Sequence, residues 1–507
     1  MSPNEILGAI MLFGMVAVIF IGFPISFTLL FLAIVFGGLG LGFAQTFDLA
    51  YLQIWGTMKD EILPAVPLFI FMGYMTEQAG LMERLFGALR SLLAPVRGSL
   101  YLAVILTATI FAMATGIVGA AVTVLGIMAA PMMIKAGYDG RLSSGAIAAG
   151  GTLGILIPPS VMLVVMGPTM GIPVNLLYSA SMGPGLLLAL IYIAYTLGRS
   201  VLNPSLGPAM TMDERKEAYE AMTTERVGAP VVLLGFLCVT IIAALLAYSV
   251  SNAIVTKAPP LGWAIPSVVL AALAAYAYVK SLYFRAVMLG IAPLSALIGF
   301  TLGTILGGLA TPTEAASCGA FGAALLALLY NRLDFESFKN ACVGTMTTSA
   351  MVLFLAVASN VFGAVFTKLG TATVITNTLI SLPLDDAWKL ALIMVLIFVL
   401  GWPFEWPAII LVFLPIFMPV VERLKFEGMT KLELLIWFGT LVAVNLQTAF
   451  LSPPVAMSAY YLRNVVPQWS LGTIYRGMAD YMVIQCLVLL GLFFFPDIAL
   501  WLMRALR

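Results

Sequence analysis

The sequence predicts an all-α polytopic membrane protein with about 12 transmembrane helices plus two re-entrant hairpins, arranged as two inverted repeats. The membrane class follows from composition, because 62% of the 507 residues are apolar, only 9% are charged, and the mean hydropathy is +1.08. A soluble globular protein has roughly 45–50% apolar and about 25% charged residues. The repeat follows from sequence landmarks that recur in the two halves of the chain.

The charge and residue content exclude several classes of function. Lys and Arg number 24 against 23 Asp and Glu, and the net charge of +1 offers no basic surface for nucleic acid. Because the chain has no histidine, His-ligated zinc sites, Ser-His and Cys-His nucleophile pairs and histidine proton relays are excluded. The four cysteines are far apart in apolar runs and are predicted to pack. We therefore expect a protein that is not an enzyme.

Apolar runs long enough to cross the bilayer predict the individual helices, and each run ends at charged residues or at Pro and Gly. The N-terminal run begins with Asn4 and Glu5 instead of basic residues, so we expect a retained helix rather than a signal peptide. The predicted crossings are 5–22, 25–43, 63–80, 142–171, 176–198, 228–250, 263–279, 287–306, 311–330, 350–368, 434–463 and 477–500.

Two longer apolar stretches, 100–134 and 387–421, are interrupted in the middle and are predicted to be re-entrant hairpins. The interruptions are Ala-Thr-Gly at 114–116 and GWPFEWP at 401–407. Two full crossings joined by a tight turn remain the alternative for each stretch. The hairpin interpretation places on one side the loops 81–98, 135–141, 199–226, 280–286, 331–349 and 463–476. Since these loops carry most of the 24 Lys and Arg residues, that side is predicted to be cytoplasmic.

Four landmarks recur in the same order about 290 residues further along the chain. They pair residues 22–26 with 310–314, Gly73 and Gly80 with Gly363 and Gly370, Pro131 with Pro419, and 157–161 with 452–456. Inverted repeats with broken helices are typical of carriers, whose binding site lies near the membrane midplane between the repeats. The landmarks therefore predict a carrier in three parts: a first inverted repeat at 1–200 (hairpin 100–134, broken helix 142–171), a connector with two extra transmembrane helices at 201–286, and a second inverted repeat at 287–507 (hairpin 387–421, broken helix 434–463).

The first broken helix, 150–160 (GGTLGILIPPS), is the segment best suited to bind an ion. Pro158 and Pro159 cannot continue a helix, because proline lacks the N–H that bonds to an earlier carbonyl. The carbonyls left free could coordinate a hard cation, with the hydroxyls of Thr152 and Ser160 beside them.

The second broken helix, 445–454 (NLQTAFLSPP), contains Pro453 and Pro454 and is the repeat mate of the first. The helix N-termini that follow the two breaks would attract a substrate carboxylate. A proline kink that serves only packing is the alternative. No Walker-type phosphate-binding sequence is present, so an ion gradient is the expected energy source. Sodium, held by carbonyls and hydroxyls, is favoured over protons because histidine is absent.

Polar residues within apolar segments are weighed individually, because each is costly in a membrane without a partner. Glu405 lies between two tryptophans and is either a cation or proton site or an interfacial group. Glu314 is predicted to cap a helix, and Glu77 is predicted to have a structural role. Ser359 and Asn360 are either interhelical hydrogen-bonding groups or substrate contacts.

Four segments resemble signatures of one family, the large membrane subunit (DctM-like) of tripartite ATP-independent periplasmic, or TRAP, transporters in the ion-transporter superfamily. They are 63–69 (LPAVPLF), 150–160, 311–316 (TPTEAA) and 445–454. The resemblance implies a sodium-driven, elevator-type carrier that imports an organic acid across the bacterial inner membrane. It also implies two partners, a small membrane subunit (DctQ-like) and a periplasmic substrate-binding protein (DctP-like), and no cofactor besides sodium as the coupling ion.

The resemblance further implies that the hairpin tips and broken helices hold sodium. The candidate sodium-binding residues are Thr115, Gly116, Gly151, Thr152, Gly154, Pro403, Glu405, Asn445, Gln447 and Thr448. The candidate substrate-binding residues are Ser160, Ser359, Asn360 and Ser452, and the helix-breaking residues are Pro158, Pro159, Pro453 and Pro454. The chain departs from the family in its extra residues 228–280, in having Glu405 where Asp is expected, and in lacking a Ser-rich first hairpin tip.

Three other hypotheses are considered. A stand-alone sodium/carboxylate symporter or ion antiporter of the same superfamily would need no small subunit and no binding protein. A membrane-embedded enzyme is disfavoured because histidine and paired acids at one depth are both missing. A non-transporting scaffold would not need symmetric broken helices.

Overall fold

Every regular element in the computed structural model is a helix, over the residues that the structure describes: 2–224, 229–239, 260–453 and 456–505. Eight of these helices are long and apolar enough to cross a membrane. The prediction of an all-α, multi-span membrane protein is therefore confirmed. The finer count of about 12 crossings and their sidedness stay predictions.

The helices are numbered in chain order. The first part of the chain contains α1 (Pro3–Ile21), α2 (Ile25–Gly40), α3 (Phe43–Met58), α4 (Ala65–Gln78), α5 (Leu81–Leu93), α6 (Ser99–Thr115), α7 (Val118–Lys135), α8 (Gly140–Thr152), a 3₁₀ turn (Leu153–Ile155), α9 (Val161–Met170) and α10 (Val174–Leu202). The connector contains α11 (Met212–Thr224), α12 (Ala229–Val239) and α13 (Pro260–Lys280). The second part contains α14 (Leu282–Leu306), α15 (Pro312–Leu329), α16 (Phe335–Lys368), α17 (Thr371–Ser381), α18 (Asp386–Leu400), α19 (Trp406–Ala408), a π turn (Ile409–Phe413), α20 (Leu414–Val421), α21 (Lys431–Leu451), α22 (Met457–Val465), α23 (Leu471–Phe494) and α24 (Asp497–Ala505).

Two helices, α15 and α1, begin with capping pairs that their sequences predict. The backbone N–H of Thr311 donates to the Glu314 carboxylate at 2.8 Å, and the Glu314 N–H donates to the Thr311 hydroxyl at 3.3 Å. Ser2 and Glu5 form the same reciprocal pair at the start of α1. Such pairs satisfy N–H groups that have no partner within the helix. The capping prediction for Glu314 is confirmed.

Two segments predicted as loops are helical. The segment 81–98 contains α5, in which Leu81, Leu85 and Leu89 are buried along one face. An amphipathic helix spaces its apolar residues instead of collecting them in a run, which explains the error. The 34-residue α16 likewise begins at Phe335, so most of the predicted loop 331–349 is helical.

Other boundaries also differ from the prediction. The stretch between 43 and 63 contains an unpredicted helix, α3, which exposes Phe47, Tyr51 and Trp55 and buries little besides Thr46. Such a face is suited to contact with lipid. The crossing predicted at 477–500 is divided after Phe494, because Pro496 cannot continue the helix. The crossing predicted at 228–250 lies partly outside the described residues.

Both predicted hairpins consist of two helices that separate at the expected interruptions. In the first, α6 and α7 are separated by Gly116 and Ile117. In the second, α18 and α19 are separated by residues 401–405. The interruptions are confirmed, while re-entry from one membrane face stays a prediction.

The helices pack in two groups. The outer group contains α1–α5 and α14–α17, in which α4 packs against α15 and α16, α2 against α16, and α5 against α14. The inner group contains α6–α10 and α18–α24, in which α8 packs against α6, α7 and α23, and α21 packs against α10, α18 and α23. The hairpins adjoin the outer group, since α6 contacts α4 and α5, and the second hairpin contacts α16 and α17.

The broken helices are the most enclosed elements of the inner group. In α8, every residue from Leu142 to Thr152 is buried, and in α21 nearly every residue is buried. Glycines allow α8 and α23 to pack in close contact, because a Cβ added at Gly145 would lie only 2.6 Å from the Gly477 carbonyl oxygen. This close packing places the end of α8 inside the protein, where the backbone is interrupted.

Candidate functional site

The first break lies between Thr152 and Val161. After α8 the chain makes the 3₁₀ turn and then a non-helical segment through Pro158 and Pro159, whose connecting peptide bond is cis. The Ser160 hydroxyl donates to the Ile155 carbonyl at 2.6 Å. All of residues 152–160 are buried. The helix is therefore interrupted inside the protein, at the prolines where the sequence predicts a break.

The second break lies between α21 and α22. The helix ends at Leu451, and Ser452 and Pro453 have left the helical conformation. Pro454, also predicted as a helix-breaking residue, lies outside the described residues. The Ser452 hydroxyl is buried and has no hydrogen-bond partner among the residues that the structure describes.

The two breaks meet at the centre of the inner group. The Gln447 side-chain N–H donates to the Thr152 carbonyl oxygen at 3.0 Å, and both residues are fully buried. These residues are separated by 295 positions, the same spacing that relates the landmarks 157–161 and 452–456. The sequence mates are therefore also neighbours in space, and each break lies against its counterpart.

A second buried amide side chain, on α23, also contacts Thr152. The Gln485 side-chain N–H donates to the Thr152 hydroxyl at 3.3 Å, and that hydroxyl donates in turn to the Ala149 carbonyl at 2.8 Å. The sequence analysis did not identify Gln485. Gln485 is the single amide in the apolar segment YMVIQCLVLL. Because an unpaired amide in hydrocarbon is costly, that isolated polar residue could have indicated a buried contact.

The tips of both hairpins contact the broken helices. Gly116 has φ +60°, and a Cβ there would lie 3.1 Å from the Val161 backbone nitrogen, at the start of α9. At the second tip, a Cβ on Gly401 would lie 2.9 Å from the Ala449 Cβ, next to Thr448. The side chain of Thr115 is outside the described part of the structure. Each hairpin tip thus borders one of the two breaks.

The remaining candidate sodium-binding residues occupy varied positions around this centre. The Asn445 N–H donates to the Met394 carbonyl at 2.8 Å, which ties α21 to the second hairpin, and the Thr448 hydroxyl donates to the Asn445 carbonyl at 2.6 Å. Gly151 packs against α7 and, like Gly154, is buried. Pro403 and Glu405 are half-buried at the second tip, beyond Gly401.

Three buried amide oxygens of α21 and α23 have no hydrogen-bond donor in the described part of the chain. They are Asn445 Oδ1, Gln447 Oε1 and Gln485 Oε1. Buried acceptors without a donor are rare in folded proteins and usually mark an ion or a water molecule. Hard cations prefer such neutral and carbonyl oxygens. The described residues contain no group of three or more Asp, Glu, His or Cys that could bind a metal.

Two predicted substrate contacts lie away from the breaks. Ser359 and Asn360 belong to α16 in the outer group. The Asn360 amide donates to the Thr57 hydroxyl of α3 at 2.8 Å, while the Ser359 hydroxyl is buried without a partner among described residues. The structure therefore brings Ser160 and Ser452 to the breaks, and places Ser359 and Asn360 elsewhere.

An all-helical multi-span fold with two broken helices that meet between two hairpin tips defines a membrane transporter. The same fold is found in the crystal structure of the Alcanivorax borkumensis YdaH transporter, with a TM-score of 0.56, 15% sequence identity, and coverage of 95% of this chain and 97% of that one. The chain belongs to the DctM component family of the tripartite ATP-independent periplasmic transporters, whose family model matches residues 12–498.

Curated relatives of known transport systems agree with this assignment. The sialic acid TRAP transporter large permease protein SiaM of Vibrio cholerae is 25% identical over 500 residues, which cover 97% of each chain. The C4-dicarboxylate TRAP transporter large permease protein DctM of Pseudomonas aeruginosa is 25% identical over 452 residues, with coverage of 89% of this chain and 88% of that protein. The isethionate TRAP transporter permease protein DctMQ of Oleidesulfovibrio alaskensis is 27% identical over 415 residues, with coverage of 82% of this chain and 54% of that protein. The protein is a TRAP transporter permease, and not an enzyme.

Proposed function

We propose that this permease imports an organic anion across the bacterial inner membrane together with sodium. One observation carries the proposal: the two breaks join through the Gln447–Thr152 hydrogen bond, and the buried amide oxygens around that bond have no donor among the described residues. A cation bound by these oxygens would compensate for the missing donors. Sodium binding would thereby hold both broken helices and the hairpin tips in one arrangement.

The substrate class is an organic anion. The relatives named above are described as transporters of sialic acid, C4-dicarboxylates and isethionate, each of which carries an acidic group. Two helices, α9 and α22, begin directly after the breaks, and their N-terminal N–H groups favour an anion. Ser160 and Ser452 lie beside these N-termini and are the proposed substrate contacts, and Ser359 and Asn360 are less suited because they lie in the outer group.

Transport would require two partners. The family is described as one component of a tripartite periplasmic transporter, and the relative DctMQ bears the names of two components in one protein. We therefore expect a small DctQ-like membrane subunit and a periplasmic DctP-like binding protein. In an elevator movement, the inner group would slide along the outer group and carry ion and substrate together.

A first experiment tests the ion without requiring the substrate. The complex with its small subunit is purified in mild detergent, and its thermal unfolding is followed in sodium chloride and in potassium chloride at equal ionic strength. We expect sodium to raise the melting temperature, because a ligand that binds only the native state stabilises it. Equal melting temperatures in the two salts, at concentrations up to that of seawater, would overturn the sodium proposal.

A second experiment tests import. Proteoliposomes that contain the complex are supplied with the binding protein and with radiolabelled succinate, sialic acid or isethionate, under an inward sodium or potassium gradient. Uptake of an acid only with sodium and binding protein is expected. Undiminished uptake driven by pH without sodium would contradict the coupling. Uptake by the purified chain alone would instead favour the stand-alone symporter.

A further inference from the structure

The connector helices border an open cavity at the protein surface, outside the inner group. Its volume is about 460 Å³, and it lies between α12, α13 and the start of α14. Its walls include Leu233, Phe236 and Tyr278, and Arg285 lies at one end. The sequence analysis identified these extra helices as a departure from the family, without a role.

The cavity is apolar except for one cation. The Tyr278 hydroxyl is already used, because it donates to the Val232 carbonyl at 2.9 Å. The Arg285 side chain is half-buried, yet its guanidinium forms no hydrogen bond or ion pair with any described residue. No other charged side chain is among the described residues that line the cavity. A partly buried guanidinium without a partner is costly, and an anion would compensate for it.

The cavity opens toward the surface that faces lipid. Leu233 is 60% exposed and Val279 is 65% exposed on its rim, although both are apolar. Arg285 lies in the first turn of α14, a 25-residue helix long enough to cross the membrane. A residue at the end of such a helix is at the depth of lipid headgroups, and basic pockets between transmembrane helices bind anionic headgroups.

We propose that this cavity binds one anionic phospholipid, with its headgroup phosphate on Arg285 and an acyl chain along Leu233 and Phe236. The apolar walls match the acyl chain, and the guanidinium, for which the described residues supply no partner, matches the phosphate. The loop 280–286 belongs to the side predicted to be cytoplasmic, where anionic lipids are concentrated. The site does not depend on the proposed coupling ion or substrate, because it lies in the connector.

The test uses native mass spectrometry of the intact complex in detergent, titrated with phosphatidylglycerol or with phosphatidylcholine. We expect phosphatidylglycerol to bind more tightly, and Arg285→Gln to weaken its binding about fivefold while leaving phosphatidylcholine unchanged, since one basic residue near the surface contributes about that factor. Arg285→Lys keeps the charge and should retain most of the preference. Leu233→Trp, at an exposed position, fills the acyl path and should weaken both lipids.

The matched control is Lys280→Gln, because Lys280 is an exposed cation close in sequence that does not line the cavity. An equal loss with Lys280→Gln would mean general surface attraction and would overturn the site. Unchanged lipid binding in Arg285→Gln or Leu233→Trp would also overturn it. Release of a co-purifying protein by Arg285→Gln, with lipid binding intact, would assign the cavity to a protein partner instead.

Discussion

The hydrogen bond between Gln447 and Thr152 gives the most direct test of the site. The proposed change is Gln447→Leu, which keeps a side chain of similar size and removes the amide. It leaves the Thr152 carbonyl buried without the donor that now lies 3.0 Å away. The Thr152 carbonyl keeps one other donor, because it accepts the first hydrogen bond of the 3₁₀ turn that follows α8.

The expected loss has two parts, which depend differently on sodium. Loss of the N–H removes one of the two hydrogen bonds to this buried carbonyl, which costs about 0.5–1.5 kcal/mol with or without the ion. Loss of Gln447 Oε1 costs nothing in the absence of a cation, because that oxygen has no donor among described residues, but it removes a ligand when sodium is bound. At about 1.4 kcal/mol for each factor of ten, a second loss of about 2 kcal/mol would weaken sodium binding roughly 30-fold.

The assay is thermal unfolding of the complex over a sodium titration. The variant should melt at a lower temperature without sodium, and the sodium concentration for half-maximal stabilisation should rise by about one order of magnitude or more.

The matched control is Tyr330→Phe in the outer group. The Tyr330 hydroxyl donates at 2.9 Å to the Leu289 carbonyl, which lacks its helical donor because Pro293 occupies the fourth position after it. Removing this hydroxyl likewise removes a hydrogen bond to a buried carbonyl, but far from the breaks. We expect a lower melting temperature with an unchanged sodium titration. If Gln447→Leu behaves like Tyr330→Phe, or leaves the sodium titration unchanged, the reasoning is refuted.

Three further predictions concern the backbone conformation at a hairpin tip, the packing of two helices and a helix cap. Gly116→Ala should impair transport more than Gly137→Ala. Both glycines have positive φ (+60° and +71°), but only at Gly116 would an added Cβ meet neighbouring atoms. Equal uptake by the two variants would contradict this. Gly477→Ala should lower the melting temperature by forcing α8 and α23 apart, whereas Gly491→Ala on the same helix meets open space and should be neutral or stabilising by roughly 0.5–1 kcal/mol. The Ser337 N–H at the start of α16 donates to the Asp334 carboxylate and lowers the pKa of that group. The ionised Asp334 carboxylate therefore stabilises the folded protein at any pH above the unfolded-state pKa of about 3.9. This stabilisation is lost as the pH falls through the folded-state pKa. Asp334→Ala should therefore unfold at a lower temperature than the parent at pH 7, and this difference should disappear in acid; a difference that persists there would exclude the cap as its cause.

The sequence predicted those features that depend on neighbouring residues. Pro158 and Pro159 cannot donate backbone hydrogen bonds, so two consecutive prolines favour a break, whereas the single prolines inside α7, α10 and α14 leave those helices continuous. The cap formed by Glu314 with Thr311 involves groups three positions apart, and it too was predicted correctly. The helix α5 was missed because its apolar residues are spaced around one face, and a search for continuous apolar runs does not detect that spacing.

The sequence predicted which segments form the candidate site, but not which of their side chains are in contact. The two broken helices and both hairpin interruptions were identified from proline, glycine and the repeat. The roles of individual side chains were not identified, because the local sequence around a polar residue in an apolar helix does not reveal which neighbouring helix that residue contacts. Asn360 illustrates this, since its amide donates to Thr57, which is 303 positions away.

The sequence by itself therefore determined the membrane class, the order of most helices and the positions where they break. Only the tertiary structure decided that Gln447 and Gln485 converge on Thr152 and that Gly116 borders the start of α9. The physical reason is that helix breaking follows from covalent geometry and hydrophobicity along a short stretch of chain. Which buried oxygens are left without donors depends instead on how distant helices pack, and the cation site proposed here rests on those oxygens.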